Sequence, residues 1–328
     1  MPKGQMGLNN NTMNFKQYLE KHGKSKSTIK HYMTYLLDFL AYLDRDNTEV
    51  DNCTAKEVLS YLSHLQKPIE QGGKAQGNST RSIRLGVIKQ YFNYAIEQNN
   101  RTDNPIAHLK IRGTKTTKLY PLLKQQDLER IYTDYEIPTE NDPRKNRNWF
   151  TTYKLGRERN KVIISLLINQ ALTTAEVNRI EIQDLKLREG EIYIKGTRKS
   201  NERTLKLKSN QIMDLMDYIY KLRPILLDYQ TDKTITQLFL SLPTAGQTKT
   251  EKTTLSIWKG LTKDIKATNP NFINFKQVRT TIITKWLKQY NLREVQQMAG
   301  HRYVSSTEAY QINNTEDLQE AIDKFHPI

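Results

Sequence analysis

The apolar residues in the first third of the chain recur every three or four positions, which is the spacing of one face of an α-helix. One series occupies residues 29–43, and Thr54-Ala-Lys-Glu57 has the form of a capping box that opens a second helix. A third helix follows the glycine-containing loop 67–78, and its predicted inward positions are Ile83, Val87, Tyr91, Phe92 and Ala95. Its basic side chains are expected on the outer face: Arg81, Arg84 and Lys89. The pattern therefore predicts an all-helical first domain.

The period changes in the second part of the chain. A strongly apolar stretch, 160–170, predicts a buried central helix. Residues 191–194 and 203–207 instead alternate, and they flank a basic segment at 196–200, which predicts a short β-hairpin with a basic tip. Helical periodicity then returns and continues to residue 325. The predicted fold class is therefore mainly α with a small β-sheet, an α+β arrangement.

A change of composition separates the two parts. Asn104-Pro105 ends the helical block, and the segment after it is small, polar and basic, which is typical of a linker. The sequence predicts a flexible N-terminal arm (1–12), a helical domain (13–109), a basic linker (110–118), a second domain (119–314) and a C-terminal helical tail (315–328).

The chain is strongly basic. Its 328 residues include 51 Lys and Arg against 35 Asp and Glu, a formal net charge of +16. Residues 1–112 carry 16 basic and 10 acidic side chains, and residues 113–328 carry 35 and 25, so both parts have a positive excess. Such a charge favours a polyanionic partner, most often nucleic acid. Because the excess is shared, a two-domain clamp on the polyanion is expected.

Cysteine content and hydropathy exclude several other classes of protein. A single cysteine, Cys53, excludes an internal disulfide framework and a metal site built from several cysteines. Uncharged stretches such as 162–175 are too short to cross a bilayer, and the N-terminus lacks the apolar core of a signal peptide. We therefore expect a cytoplasmic protein with no membrane partner.

Three local features supply candidate chemistry. They are Lys276 and Arg279 one helical turn apart, Gly300-His301 followed nine residues later by Tyr310, and the predicted hairpin tip with Arg198 and Lys199. Fixed cations, a proton donor and a nucleophile are what a phosphodiester transfer requires. Each feature alone is more often an ordinary surface or core residue, so it is their combined order that favours a reaction.

These residues and their order resemble the tyrosine recombinase family, which contains the phage integrases and the Xer-type site-specific DNA recombinases. The stretch 160–176 resembles the family's first box, an apolar helix followed by Gly-Leu-Arg-x-x-Glu. Lys276-x-x-Arg279 falls where the family has His-x-x-Arg, and Gly300-His301 with Tyr310 matches its last box at the usual spacing. The helical block that begins near Ser27 resembles the family's SAM-like core-binding domain.

The resemblance implies a role for each matched residue. Tyr310 would attack the scissile phosphate and form a 3′-phosphotyrosyl link. Arg279 would hold the non-bridging oxygens, and His301 would hydrogen-bond the same phosphate. A basic residue at the hairpin tip would protonate the leaving 5′-oxygen, and both Lys199 and Arg198 remain candidates for it.

The resemblance also implies that Glu176 is a structural carboxylate of the active site, bonded to nearby backbone. Lys276, in place of the second-box histidine, can donate to a phosphate but is not a neutral base at pH 7. Chemistry of this kind needs no metal and no nucleotide cofactor.

One position departs strongly from the family pattern. The family's first arginine aligns with Thr173, which carries no charge and no guanidinium fork. Removing one preorganised donor typically lowers a rate by about 10² to 10³. Either a nearby cation substitutes, or the protein cuts poorly alone and works with a more active partner. The nearby cations are Lys154, Arg157, Arg159 and Arg179.

The resemblance further implies double-stranded DNA as the partner, in the bacterial nucleoid. The candidate DNA contacts, each of which could equally be a solvated charge, are Arg81, Arg84, Lys89, Arg112, Lys115 and Lys118. The apolar stripe of the tail implies docking on a neighbouring subunit of a cyclic tetramer, or folding back on its own domain. The assembly would be a homo-tetramer or a hetero-assembly with a second recombinase.

The sequence therefore predicts a site-specific recombinase that serves the integration, excision or transposition of a mobile element. The alternative is a catalytically weakened DNA-binding or assembly subunit on the same scaffold. A third candidate is an RNA-binding protein.

Overall fold

A computed structural model describes residues 3–45, 47–114, 120–244, 246–252 and 254–311, with side chains from residue 12 onward. The chain divides into two compact units, residues 1–118 and 119–328. The described part of the first unit is helical, and that of the second combines helices with a three-stranded sheet. The predicted α+β fold class is confirmed. Across the described residues, no helix is both long and apolar enough to cross a membrane.

The described part of the first unit is built from four α-helices. They are α1 (Lys3–Lys21), α2 (Lys26–Arg45), α3 (Ala55–Gln66) and α4 (Asn78–Glu97). Short 3-10 turns at Val50–Asn52 and Ile69–Gln71 precede α3 and α4. The predicted capping box opens α3: the Thr54 hydroxyl accepts from the N–H of Lys56, and Glu57 accepts from the N–H of Thr54.

The predicted flexible arm at 1–12 is wrong from Lys3 onward, because this segment forms the start of α1. Farther along the same helix, Phe15 and Leu19 are fully buried. The Phe15 ring packs edge-on against Tyr91 with 5.3 Å between ring centroids. A helix anchored in this way can extend toward its N-terminus, since no proline follows position 2 to interrupt it.

Helix α4 buries four of its five predicted inward positions, but near its start Ile83 and Arg84 lie opposite to the prediction. Ile83 is 51% exposed, whereas Arg84 is 7% exposed. Arg84 forms an ion pair with Asp38 and donates to the hydroxyl of Tyr61 at 2.6 Å. Its guanidinium also lies 4.6 Å from the centroid of the Tyr35 ring. The predicted outward position of Arg84 is therefore wrong, because a carboxylate, a hydroxyl and an aromatic face stabilise its charge inside the unit.

The described residues of the second unit form nine α-helices and three strands. The helices are α5 (Gln125–Thr133), α6 (Phe150–Gln170), α7 (Thr174–Val177), α8 (Ser209–Asp217), α9 (Arg223–Asp228), α10 (Trp258–Thr268), α11 (Phe275–Leu287), α12 (Leu292–Ala299) and α13 (Ser305–Glu308). The strands are β1 (Leu185–Lys186), β2 (Glu191–Ile194) and β3 (Arg203–Lys206). A π-helical turn, Tyr218–Leu222, joins α8 to α9, and a 3-10 turn, Ile182–Asp184, precedes β1.

Helix α6 is the centre of the second unit. It contacts α5, α8 and α11. Ile163, Ile164 and Leu166 on it are fully buried. The helix begins at Phe150, well before the predicted start at residue 160, so the more polar segment ahead of the apolar stretch is also helical.

The sheet is antiparallel in the order β1-β2-β3, which confirms the predicted hairpin of β2 and β3. Ile194 pairs with Arg203 and Ile192 with Leu205. Burial alternates along the last strand, so that Arg203, Leu205 and Leu207 face the interior. The strand therefore carries an arginine into the core.

Part of the predicted linker is anchored on the first unit. The carbonyl of Arg112 accepts from Nδ2 of Asn78 at 3.0 Å, and the carbonyl of Thr114 accepts from the Ser79 hydroxyl at 2.7 Å. The predicted DNA contacts Lys115 and Lys118, and the predicted tail at 315–328, lie outside the described residues.

Candidate active site

The turn at the end of α12 positions His301. Gly300 ends the helix with φ +67°, in the left-handed region that glycine adopts readily. A Cβ at this position would clash with Nη1 of Arg203 and lie 3.0 Å from its Cζ. The backbone angle therefore favours glycine here, and the neighbouring guanidinium leaves no room for a Cβ.

The predicted hairpin tip is connected to the same turn. Ser200 forms an antiparallel β-bridge with His301, and the N–H of Asn201 donates to the carbonyl of Gly300 at 3.0 Å. The tip and the histidine segment thus hold each other in place, although they are about a hundred residues apart in sequence.

Arg279 lies where two helices end. Its Nη1 donates to the carbonyl of Ala171, the residue that ends α6, and its Nη2 donates to the carbonyl of Ala299 at 2.7 Å, at the end of α12. Ala171 has φ +50°, a left-handed conformation without glycine. The C-terminal ends of helices carry partial negative charge, which favours a cation there. The side chain is 11% exposed, so it is both fixed and accessible along one edge.

His301 is a neutral imidazole held by two neighbours. Its Nε2 lies 3.3 Å from Nη2 of Arg279, and its Nδ1 lies 2.9 Å from the hydroxyl oxygen of Thr307. Since a guanidinium only donates, Nε2 must accept, which assigns the proton to Nδ1. Burial lowers the pKa of His301 to about 4, and the charges of Arg279 and Arg203 act in the same direction. The ring is therefore uncharged at pH 7.

Tyr310 completes the cluster. Its ring stacks on that of His301, with 5.6 Å between centroids and 14° between planes. Its backbone N–H donates to the carbonyl of Thr307 at 3.0 Å, just beyond α13. Burial lowers the pKa of the Arg279 guanidinium, while the neighbouring Glu176 and Tyr310 oppose that shift. The structure thus brings together three of the predicted site residues.

Thr173 and Glu176 form a capping box at the start of α7. The Thr173 hydroxyl accepts from the N–H of Glu176 at 3.1 Å, and Oε2 of Glu176 accepts from both the N–H and the hydroxyl of Thr173. Oε1 accepts from Nη1 of Arg203 at 2.7 Å. Burial raises the pKa of Glu176, but Arg203, the Thr173 N–H and Arg279 outweigh it and lower that pKa to about 2. Residue 173 is therefore committed to a helix cap and does not present a cation.

The other predicted cations of the site lie at its edge. Lys276 is exposed near the start of α11, and its Nζ lies 5.8 Å from the centroid of the Tyr120 ring. Arg198 and Lys199 are exposed on the hairpin tip, where the carbonyl of Arg198 accepts from Nη1 of Arg302 at 2.7 Å. Within the part of the chain that is described, none of these three side chains hydrogen-bonds to Arg279, His301 or Tyr310.

Three of the four cations considered as substitutes for an arginine at 173 are held elsewhere. Arg157 pairs with Asp264 at 2.9 Å, Arg159 donates to the carbonyl of Leu240 at 2.6 Å, and Lys154 pairs with Glu140. The fourth, Arg179, is exposed.

The arginine that reaches Glu176 is Arg203, to which the sequence pattern assigns no role in the site. A signal was present, because Arg203 is in phase with Leu205 and Leu207 along a strand. An arginine in that phase is expected to point inward.

Three predicted DNA contacts, Lys89, Arg84 and Arg81, have partners within the first unit. Nζ of Lys89 donates to the carbonyls of Ala107 and Leu109, at 2.7 and 2.6 Å. Lys89 is therefore not a free outer charge, and neither is Arg84. Arg81 is half-buried and donates to Oδ1 of Asn78 at 3.0 Å.

Among the described candidates for DNA contact, Arg112 is the one that is exposed. Its position beside the start of α4 is fixed by its own carbonyl, so its side chain extends from an anchored backbone.

The cluster as a whole offers a hydroxyl nucleophile, a neutral imidazole and a fixed guanidinium within one small volume. These groups suit acid–base chemistry and stabilisation of a negative charge, as in phosphoryl transfer. Across the described residues, no group of three His, Cys, Asp or Glu side chains is placed to hold a metal ion.

Two family models match the chain. The phage integrase family matches residues 146–317, and the N-terminal SAM-like domain of phage integrases matches residues 12–102. The first match contains the whole cluster of Arg279, His301 and Tyr310, and the second contains the described helices of the first unit from residue 12 onward.

Individual proteins show the same similarity. Tyrosine recombinase XerA of Pyrococcus furiosus is 25% identical over 320 residues, which cover 94% of this chain and 92% of that protein. The XerH recombinase bound to palindromic difH substrate superposes with a TM-score of 0.63 at 19% identity, covering 94% of this chain and 84% of that one. A lambda integrase tetramer bound to a Holliday junction gives a TM-score of 0.58 at 14% identity, covering 92% and 76%. The two structures show a common fold.

Proposed function

Because the chain belongs to the phage integrase family of tyrosine recombinases, we propose that it cuts and rejoins DNA strands through a 3′-phosphotyrosyl intermediate on Tyr310. The proposed reaction serves the integration, excision or transposition of a mobile element. The observation that carries the proposal is the packing of Tyr310 on His301 next to the fixed guanidinium of Arg279.

Arg279 is proposed to bind the non-bridging oxygens of the scissile phosphate. Its two Nη atoms are already oriented by the carbonyls of Ala171 and Ala299, so little freedom remains to be lost when a phosphate arrives. A guanidinium that keeps its charge in a partly buried site stabilises a phosphorane-like transition state strongly.

His301 is proposed to change its hydrogen bonding when DNA binds. In the free protein its Nε2 accepts from Arg279 and therefore has no proton to donate to a phosphate. Two alternatives are proposed: the ring takes up a proton from solvent when the phosphate anion lies beside it, or Nε2 accepts the proton of the Tyr310 hydroxyl as that oxygen attacks the phosphorus. Both use the neutral state that the low pKa of His301 provides at pH 7.

A cation at the edge of the site is proposed to protonate the leaving 5′-oxygen. Lys199 and Arg198 are the candidates, because the hairpin tip that carries them is bridged to His301 through Ser200. Lys276 is proposed to donate to the phosphate from the start of α11.

A nicked suicide substrate tests the covalent step. The wild-type chain should form a covalent protein–DNA band that resists denaturing electrophoresis and disappears on protease treatment. Tyr310→Phe should abolish the band. Tyr303→Phe is the matched control, since Tyr303 lies on the same segment, is 67% exposed and has no part in the proposed reaction. A band that persists in Tyr310→Phe, or no band in the wild type, contradicts the proposal.

A second candidate function is favoured by Thr173. A subunit whose residue 173 caps a helix could bind DNA and complete an assembly while a more active recombinase supplies the cutting. Thr173→Arg separates the two: a large gain in adduct formation indicates a weakened enzyme, and no gain or a loss indicates a site rebuilt around other residues. RNA binding is judged by comparing affinities for duplex DNA and duplex RNA.

Double-stranded DNA is the proposed partner, and a homo-tetramer or a hetero-assembly with a second recombinase is the proposed assembly. The lambda integrase relative is itself a tetramer on a Holliday junction. If about 8 phosphates are contacted, affinity should fall by several powers of ten between 50 and 200 mM salt. Sedimentation of the chain with and without its DNA measures the number of subunits.

A further inference from the structure

A buried arginine lies behind the proposed active site. The side chain of Arg203 is 1% exposed, and its Nη1 donates to Oε1 of Glu176 at 2.7 Å. Its Nε and Nη2 are buried and have no hydrogen-bond partner among the described residues. The guanidinium packs against Gly300, where an added methyl group would clash with it. Arg203 therefore lies between Glu176 and the backbone that carries His301.

The charges around Glu176 depend on Arg203. Glu176 is 4% exposed and lies 2.7 Å from Nη1 of Arg203 and 3.7 Å from Nη1 of Arg279. His301 adds no charge at pH 7, because its pKa is lowered to about 4. Two guanidinium groups and one carboxylate leave a net positive charge, whereas Glu176 and Arg279 alone would leave none.

We propose that Arg203 is a positioning residue, which neutralises Glu176 so that the charge of Arg279 stays available to the scissile phosphate. The inference rests on the proposed function, in which Arg279 binds that phosphate. Arg203 occupies Oε1 of the carboxylate and Thr173 occupies Oε2. Arg279 is consequently not drawn into a short ion pair and keeps its bonds to backbone carbonyls.

The consequence of losing Arg203 follows from the low exposure of the site. Charges in such surroundings are screened weakly, so an uncompensated Glu176 would attract Arg279 strongly. The resulting neutral pair would bind a phosphate less well. Removing the charge of Glu176 at the same time would leave Arg279 as the cation again, and the function should return.

Four variants of the full chain test this charge balance. They are Arg203→Met, Arg203→Lys, Arg203→Met combined with Glu176→Gln, and the control Arg188→Met, which removes an exposed arginine of the same unit. The rate of adduct formation is measured on the nicked substrate at saturating protein, with the Kd for DNA and a thermal melt measured alongside. Arg203→Met should be slower by about 10²-fold, the size of effect seen when one preorganised group is lost.

The other variants give the outcomes that a packing role would not. The Lys variant should retain activity to within about tenfold of the wild type, and the double variant should be at least about tenfold faster than Arg203→Met, by the same scale of effect. The control and all Kd values should stay near the wild type. A double variant no faster than Arg203→Met, or an Arg203→Met variant as fast as the wild type, overturns the proposal.

A readout independent of cutting separates this proposal from the proposed function. NMR titration of His301 should show its pKa raised by Arg203→Met and lowered again by the added Glu176→Gln. If the wild type forms no adduct, the proposed function fails, but the titration still tests the role of Arg203. A His301 pKa that is the same in Arg203→Met as in the wild type overturns that role. If Arg203→Met does not fold, Glu176→Gln alone should keep adduct formation within about tenfold of the wild type, and a 10²-fold loss overturns the proposal.

Discussion

Removing the Thr173 hydroxyl should destabilise the second unit measurably. In Thr173→Val the side chain keeps its shape but loses two interactions: the cap on the N–H of Glu176 and the bond to Oε2 of the Glu176 carboxylate. Loss of such a cap costs about 1 kcal/mol, and loss of a hydrogen bond to a charged group costs about 1.5 kcal/mol. We expect the free energy of unfolding to fall by about 2–3 kcal/mol.

Calorimetry of the full chain measures this change. For a unit of this size, a loss of 1 kcal/mol lowers Tm by roughly 2–4 °C, so the transition of the second unit should fall by roughly 5–10 °C. Thr173→Ser retains the hydroxyl and should stay within about 0.5 kcal/mol of the wild type. Thr174→Val, one position farther along α7, controls for a valine at the start of a helix. A Thr173→Val variant that melts with Thr173→Ser would refute the assignment of residue 173 as a cap.

Three further predictions concern other parts of the chain. Urea denaturation should show that Gly300→Ala destabilises the protein more than Gly246→Ala. Both glycines have a positive φ, but of these two only Gly300 has a guanidinium packed against it. Equal losses of stability in the two variants would contradict this reasoning. Arg112→Ala should lower DNA affinity and reduce by about 1 the slope of log affinity against log salt concentration. Arg84→Ala should lower Tm and leave that slope unchanged, because Arg84 pairs with Asp38 inside the unit. A smaller slope in Arg84→Ala would instead indicate that Arg84 contacts DNA. The free energy of unfolding should decrease as the pH falls from about 6.5 toward about 4, because His301 binds a proton in the unfolded chain over that range and stays neutral in the folded one. Urea denaturation at a series of pH values measures this decrease, which should be smaller in His301→Gln.

The pattern of the sequence predicts the periodic elements well and misjudges charged residues inside them. The hairpin, the capping box at Thr54 and the buried part of α6 follow from local spacing alone. Arg84 was misplaced because its partner, Asp38, is 46 positions away in sequence and no local rule links the two. Long-range pairing of this kind is what allows a charged side chain to be buried beside the apolar residues of a helix.

The contacts of the candidate site fall into the same two groups, those that local spacing predicts and those that only the tertiary fold creates. Spacing within one segment predicts that His301 and Tyr310 belong together, and the structure stacks their rings. Thr173-Thr-Ala-Glu176 has the form of a capping box, and this local pattern explains why residue 173 is uncharged. The approach of Arg203 to Glu176 is a product of the tertiary fold, and only its inward phase on β3 is visible in the sequence.

The backbone at the end of α6 fixes the direction of the Arg279 side chain before a ligand binds. Ala171 holds a left-handed backbone angle that costs about 1–2 kcal/mol for a residue with a side chain. In return, an alanine samples far fewer backbone conformations than a glycine, so the carbonyl that receives Arg279 has a narrow range of directions. The conformational entropy of the guanidinium is therefore lost when the chain folds rather than when it meets its ligand. A phosphate that enters the site would find the direction of its main cation already set by the main chain.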